Sequence, residues 1–157
     1  MTLILIGYYG EILQIENNLT IVKVVLHMVD VLRKEVSYSF DETVKRVEEA
    51  CKSEGFGLLL TKGLDSVFKE KLGVEHSRYT FILACAPELA KMALDASKDV
   101  GTLFPCSFVV YEDNDKIIVA HTSIMKVAAD VGLASERSMA SVIEETGKRV
   151  RKVWEKI

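Results

Sequence analysis

The sequence predicts an α+β fold: a curved antiparallel sheet of about five strands, with two long helices on one face and an N-terminal β extension ahead of it. Three observations predict it. Five short runs between residues 32 and 122 are rich in β-branched and aromatic residues, with period-two or unbroken apolar character. Two longer stretches, near 42–54 and 136–156, repeat apolar residues at helical spacing. Between the last two strand-like runs stands "DND", whose residues suit the tight turn that joins antiparallel neighbours.

Residues 1–27, "MTLILIGYYGEILQIENNLTIVKVVLH", read as short strands broken at Gly7–Gly10 and Glu16–Asn18. No basic n-region and cleavage site mark them as a signal peptide. Glu11, Glu16 and Lys23 interrupt any run approaching the roughly 20 apolar residues of a membrane span. They form an extension, a β hairpin or similar, or translation starts at Met28 and they are not part of the native product. Residues 28–157 form a single α+β domain.

In "LRKEVSYSF", Val36, Tyr38 and Phe40 alternate with polar residues, as in a half-buried strand. Asp41 is the candidate N-cap of the first helix, with Val44, Val47 and Cys51 on its buried stripe and Gly55 closing it. "FGLLLTKGL" is a strand, and "DSVFKEKLG" is a turn or two of helix capped by Asp65 and ended by Gly73. "RYTFILACA" is the next strand. Pro87 then opens a helix through Asp99, because its missing N–H costs nothing at a first helical position. "CSFVVYE" and "KIIVAHT" form the hairpin. The last helix spans Glu136–Lys156, with Met139, Ile143, Thr146, Val150, Val153 and Ile157 on one stripe. Lys148, Arg149, Arg151, Lys152 and Lys156 crowd its final turns, where cations complement the helix dipole.

Composition narrows the function. The chain of 157 residues is 49% hydrophobic and 27% charged, and its net charge of −3 supplies no positive field to attract nucleic acid or a membrane surface. Three cysteines, without CxxC spacing, fit a reduced, cytoplasmic protein better than a disulfide scaffold. No GxSxG, Walker A or HExxH motif is present, so no catalytic residues are identified. The two central strands are apolar on both faces. Tyr79, Phe81, Leu83 and Cys85 alternate with Thr80, Ile82 and Ala84, and Cys106, Phe108 and Val110 alternate with Val109 and Tyr111. Two helices cover one face, so the extension or a second copy must cover the other.

"LDSVFKEKLGV", "YTFILACAPELAKMAL" and "GTLFPCSFVVYED" resemble, in order and spacing, the signature blocks of the domain of unknown function 302 family. The resemblance runs from about Val29 to the C-terminus. The family usually shows Cys-Asn-Pro where this chain has Cys85-Ala86-Pro87, and often Asn where Ser107 stands. The resemblance implies a β-α-β(4)-α, TBP-like architecture, a homodimer, and no established activity.

It also implies a meander, in which Cys85 ends one strand, Cys106 starts the next and His121 ends the third, all at one rim of the sheet. Pro87 would set Cys85 ahead of a helix N-terminus, where backbone N–H groups lower a thiol pKa that is otherwise about 8.5. Pro105 cannot donate to the ladder and so marks where pairing begins. Three readings stand open. Cys85 and Cys106 are packing residues, a thiolate pair for redox chemistry or for a soft metal such as Cu(I) or Zn with His121 as third ligand, or the lining of a pocket for another ligand. The function read from the sequence is a small homodimeric binding module of unknown ligand, with the thiol or metal protein as the alternative.

Overall fold

A computed structural model describes residues 31–157 and, ahead of them, the backbone of three short strands. These are β1 (Leu3–Ile6), β2 (Ile12–Glu16) and β3 (Thr20–Val24), which pair as an antiparallel sheet in the order β1-β2-β3. The expected break at Gly7–Gly10 and the proposed start at Met28 lie outside the described residues, as does most of the break at Glu16–Asn18.

The main sheet and its helices follow in the order β4 (Val31–Val36), α1 (Phe40–Ser53), β5 (Gly57–Gly63), α2 (Leu64–Leu72), β6 (Tyr79–Cys85), α3 (Pro87–Ala96), a 3-10 segment (Lys98–Leu103), β7 (Cys106–Asp113), β8 (Lys116–Thr122), α4 (Ile124–Asp130) and α5 (Glu136–Lys156). The strands are ordered β4-β8-β7-β6-β5, and every neighbouring pair is antiparallel. The expected meander β6-β7-β8 is therefore present. Asn114 and Asp115 turn its hairpin, both with positive φ (48° and 64°), as a two-residue primed turn requires.

Register explains the core. Ile82 lies opposite Phe108, which lies opposite His121; Thr80, Val110 and Val119 form the next row, and Ala84 faces Cys106. Directly opposed residues share a face. All of these are buried, in one cluster with Val47, Ala50 and Cys51 of α1 and Met139, Val142, Val150 and Val153 of α5, apart from the polar Thr80 and His121 and from Cys106. Burying a side chain such as Phe108 contributes about 1.5–3 kcal/mol. The other face carries Tyr79, Phe81 and Leu83 of β6, Val109 and Tyr111 of β7 and Ile118 of β8, all half-buried. On it the Tyr79 and Tyr111 rings stack at 5.7 Å.

Local chemistry revises several expectations. The cap of α1 is Ser39, not Asp41: Ser39 Oγ accepts the Glu42 N–H at 3.3 Å. Starting the helix two residues earlier turns Phe40 from a strand position into the core, where Arg78 lies 4.0 Å above its ring and pairs with Asp41. Asp65 does not cap α2. The cap position is Gly63, and Asp65 Oδ1 instead accepts the Tyr79 N–H at 3.3 Å. A Cβ on Gly63 would lie 2.9 Å from Ser66 Oγ, which explains the glycine. The helix from Pro87 stops at Ala96 rather than Asp99, because Ser97 turns extended and caps the 3-10 segment through the Asp99 N–H. Helix α4 was not expected from the sequence; at seven residues it is too short to show a periodic stripe. Helix α5 has the expected bounds and stripe, except that Val142 is buried and Ile143 only partly so.

Candidate functional site

Cys85 and Cys106 meet at the end of the sheet where α3 begins. Cys106 occupies the first paired position of β7, opposite Ala84, directly after Pro105. Cys85 sits one residue further along β6, on the other side of the pleat and opposite Gly57. Both thiols are free and line one small space with Leu89, Phe104, Pro105 and Thr146. That space is about 10 Å³, enough for at most one water molecule. Burial pushes the Cys106 thiol up to about 11, helped by the neighbouring Cys85, and pushes Cys51 up to about 12. Cys106 is thus a neutral thiol at physiological pH. Cys51 lies on the buried stripe of α1, as expected.

His121 shares the helix-covered face with Cys106 but serves a different space. Its ring stacks on Phe108 at 4.3 Å, and Nδ1 lies 2.9 Å from the Ser107 carbonyl. A carbonyl only accepts, so Nδ1 carries the proton and Nε2 presents a lone pair. Burial lowers the imidazole pKa, against the opposing pull of the Ser107 carbonyl, and keeps the ring neutral. Nε2 is buried and has no hydrogen-bond partner among the described residues. Among those residues no cluster of three or more His, Cys, Asp or Glu side chains is placed to hold a metal ion.

The space beside His121 is a cavity of about 350 Å³ between the β4–β8 edge of the sheet, the start of α4 and the last turns of α5. Leu32, Val150 and Trp154 form its apolar walls. Its polar groups are His121, Thr146, Ser123, Lys126 and Arg151. Thr146 Oγ1 is the second buried side-chain atom without a partner among the described residues. Gly147 completes the wall, and a Cβ built on it would meet nothing within 4 Å. Lys34 holds the C-terminal end of α5 in place by donating from Nζ to the Trp154 carbonyl at 3.0 Å.

The basic turns of α5 divide into two groups. Lys148 pairs with Glu144, Arg149 with Glu145 and Glu88, and both Lys152 and Lys156 with Glu54. Among the described residues Arg151 alone of the five has no carboxylate partner, and it lines the cavity, to which no described acidic side chain contributes.

The family model for the domain of unknown function DUF302 matches residues 32–157. The chain belongs to the DUF302 family. The crystal structure of an uncharacterised conserved DUF302 protein from Bacillus stearothermophilus resembles it with a TM-score of 0.72 and 24% identity, covering 80% of this chain and 96% of that one. At that identity the likeness shows the DUF302 fold and nothing finer. No curated protein matches the sequence. Residues 1–31 precede the DUF302 match.

Sequence reasoning named His121 but placed it with the cysteines, and read Thr146 only as part of the α5 stripe. Gly147, Arg151 and Trp154 were not connected to it. One signal was available: a glycine in the middle of a long helix costs about 0.5–1 kcal/mol relative to alanine and invites a reason.

Proposed function

We propose that the protein is a small cytoplasmic homodimeric binding module whose ligand occupies the cavity between β8, α4 and α5. The observation that carries this reading is an apolar cavity lined by His121 and Thr146, the two residues that keep a buried side-chain atom, Nε2 and Oγ1, without a partner among the described residues. Each such atom costs about 1–3 kcal/mol when left without a hydrogen bond, and a bound molecule would supply the missing partners. Cavities of this size and mixed lining are the usual form of small-molecule sites. The dimer is supported by the apolar outer sheet face, which a second copy would cover through Phe81, Leu83 and Val109. The neutral Cys106 thiol and the small space beside it favour this reading over thiol chemistry.

Titration with benzyl alcohol, a neutral apolar probe with one hydroxyl, tests the cavity. The Trp154 indole and Gly147 amide resonances should shift, and Gly147→Leu should abolish the effect while leaving the fold intact. Unchanged resonances at both positions up to saturation would remove the cavity from consideration. Sedimentation equilibrium tests the dimer: the native protein should dissociate on Leu83→Glu, and a native monomer would refute that part of the reading.

A further inference from the structure

We propose that the cavity selects small amphipathic organic anions: molecules with an apolar or aromatic body, an O–H or N–H donor at the buried end, and one negative group at the exposed end. This rests on the cavity being the binding site and assigns chemistry to its two ends.

The buried end is set by His121. Its Nδ1–H is committed to the Ser107 carbonyl at 2.9 Å, so Nε2 can only accept. A ligand group that reaches it must donate, and a carboxylate placed against that lone pair would be repelled. Thr146, which also lines the cavity, carries a hydroxyl that can accept or donate and therefore tolerates a hydroxyl.

The exposed end is set by Arg151. It lines the cavity, and among the described residues no aspartate or glutamate does. Four other basic residues of α5 are matched to carboxylates within 4.0 Å, whereas Arg151 has none among the described residues. A guanidinium at the mouth of an apolar cavity recognises a carboxylate or similar oxyanion in a forked geometry. Between the two ends, Leu32, Val150 and Trp154 present apolar surface, and Gly147 leaves open the volume that any larger side chain would enter.

Three probes of one shape separate these demands: 4-hydroxyphenylacetate, phenylacetate, which lacks the donor, and 4-hydroxyphenethyl alcohol, which lacks the charge. Trp154 is the chain's single tryptophan and lines the cavity, so its fluorescence reads each titration of the full chain. The first probe should bind about tenfold or more tighter than either of the others, the ratio expected when about 1.4 kcal/mol is lost at one end. Arg151→Gln, an exposed substitution that leaves the core untouched, should erase the preference for the acid over the alcohol without weakening the alcohol. Thr146→Val should weaken both hydroxylated probes more than phenylacetate. Equal binding of acid and alcohol, or an acid preference that survives Arg151→Gln, overturns the anion assignment. Equal binding of 4-hydroxyphenylacetate and phenylacetate overturns the buried donor. If benzyl alcohol shifts the Trp154 and Gly147 signals while none of the three probes binds, the ligand class is wrong and the cavity reading stands. If benzyl alcohol also fails, both fall together.

Discussion

Two spaces lie on either side of Thr146, and they contrast in almost every respect. The one beside Cys85 and Cys106 holds the residue types usually associated with reactivity, yet it is about 10 Å³ and, among the described residues, leaves no buried side-chain N or O atom unpartnered beyond Thr146 itself. The one beside His121 holds a neutral imidazole, a hydroxyl and a helical glycine, and is about 350 Å³. Tight packing at the first gives dispersion contacts and a single well-defined arrangement. The second departs from that packing, with unmet hydrogen-bonding capacity and empty volume. The proposed function follows the groups the protein leaves unsatisfied rather than the groups that are merely nucleophilic.

The contrast can be broken most sharply by thiol labelling. With a pKa of about 11, Cys106 is thiolate to the extent of roughly 1 part in 10,000 at pH 7, and Cys51, at about 12, still less. Iodoacetamide at neutral pH should therefore modify half-buried Cys85 in the folded protein and spare the other two. Mass mapping that finds Cys106 labelled at the same rate as Cys85 would show that Cys106 is not protected by its burial.

Truncation should separate the two sides next. Leu89 is 2% exposed and lines the cysteine space, so Leu89→Ala should cost about 2–5 kcal/mol in urea unfolding. Leu32 is 45% exposed and lines the open cavity, so Leu32→Ala should cost less than about 1 kcal/mol. Similar losses at both sites would erase the distinction in packing.

A smaller effect concerns protons. Burial holds the folded-state pKa of His121 below its unfolded value of about 6.5, so in acid the unfolded chain takes up the proton first. Stability from this group is complete above about pH 6.5 and falls as pH drops toward the folded pKa, by no more than about 1.4 kcal/mol per pH unit. Imidazole titration followed by NMR should find the His121 midpoint below 6.5, and a midpoint above 6.5 would contradict its burial. The smallest effect is a gain. Gly147→Ala should stabilise the protein by about 0.5–1 kcal/mol, because it relieves a helix-interior glycine and the new methyl meets nothing. A loss of stability there would mean the glycine serves packing rather than open volume.

Much of the fold was legible because pleat and helix periodicities are local properties of the chain. The alternation of Tyr79 through Cys85 marked the two faces of β6 correctly, and the step from Met139 to Ile157 marked the buried stripe of α5. The same alternation already put Cys85 and Ala84 on opposite faces, and with Ala84 opposite Cys106 the two sulfurs start from different sides of the sheet. Helix capping was less legible, since Ser39 and Asp41 are both good caps and the choice depended on burying Phe40. The cavity was least legible. It joins residue 32, the 121–126 segment and residues 146–154, and no local pattern reports that three distant segments fail to fill the space between them. The missing partner of His121 Nε2 is likewise a property of the packed molecule.

Strand β4 is bonded to the sheet on one side only, through β8, yet it supplies both the Leu32 wall and the Lys34 tie to the end of α5. An edge strand opens at lower free energy than a central one. Each opening of β4 would remove a wall and release the tryptophan-bearing turn in the same event. If the cavity holds the proposed ligand, its escape is linked to the breathing of a single strand, and binding should slow amide exchange along β4.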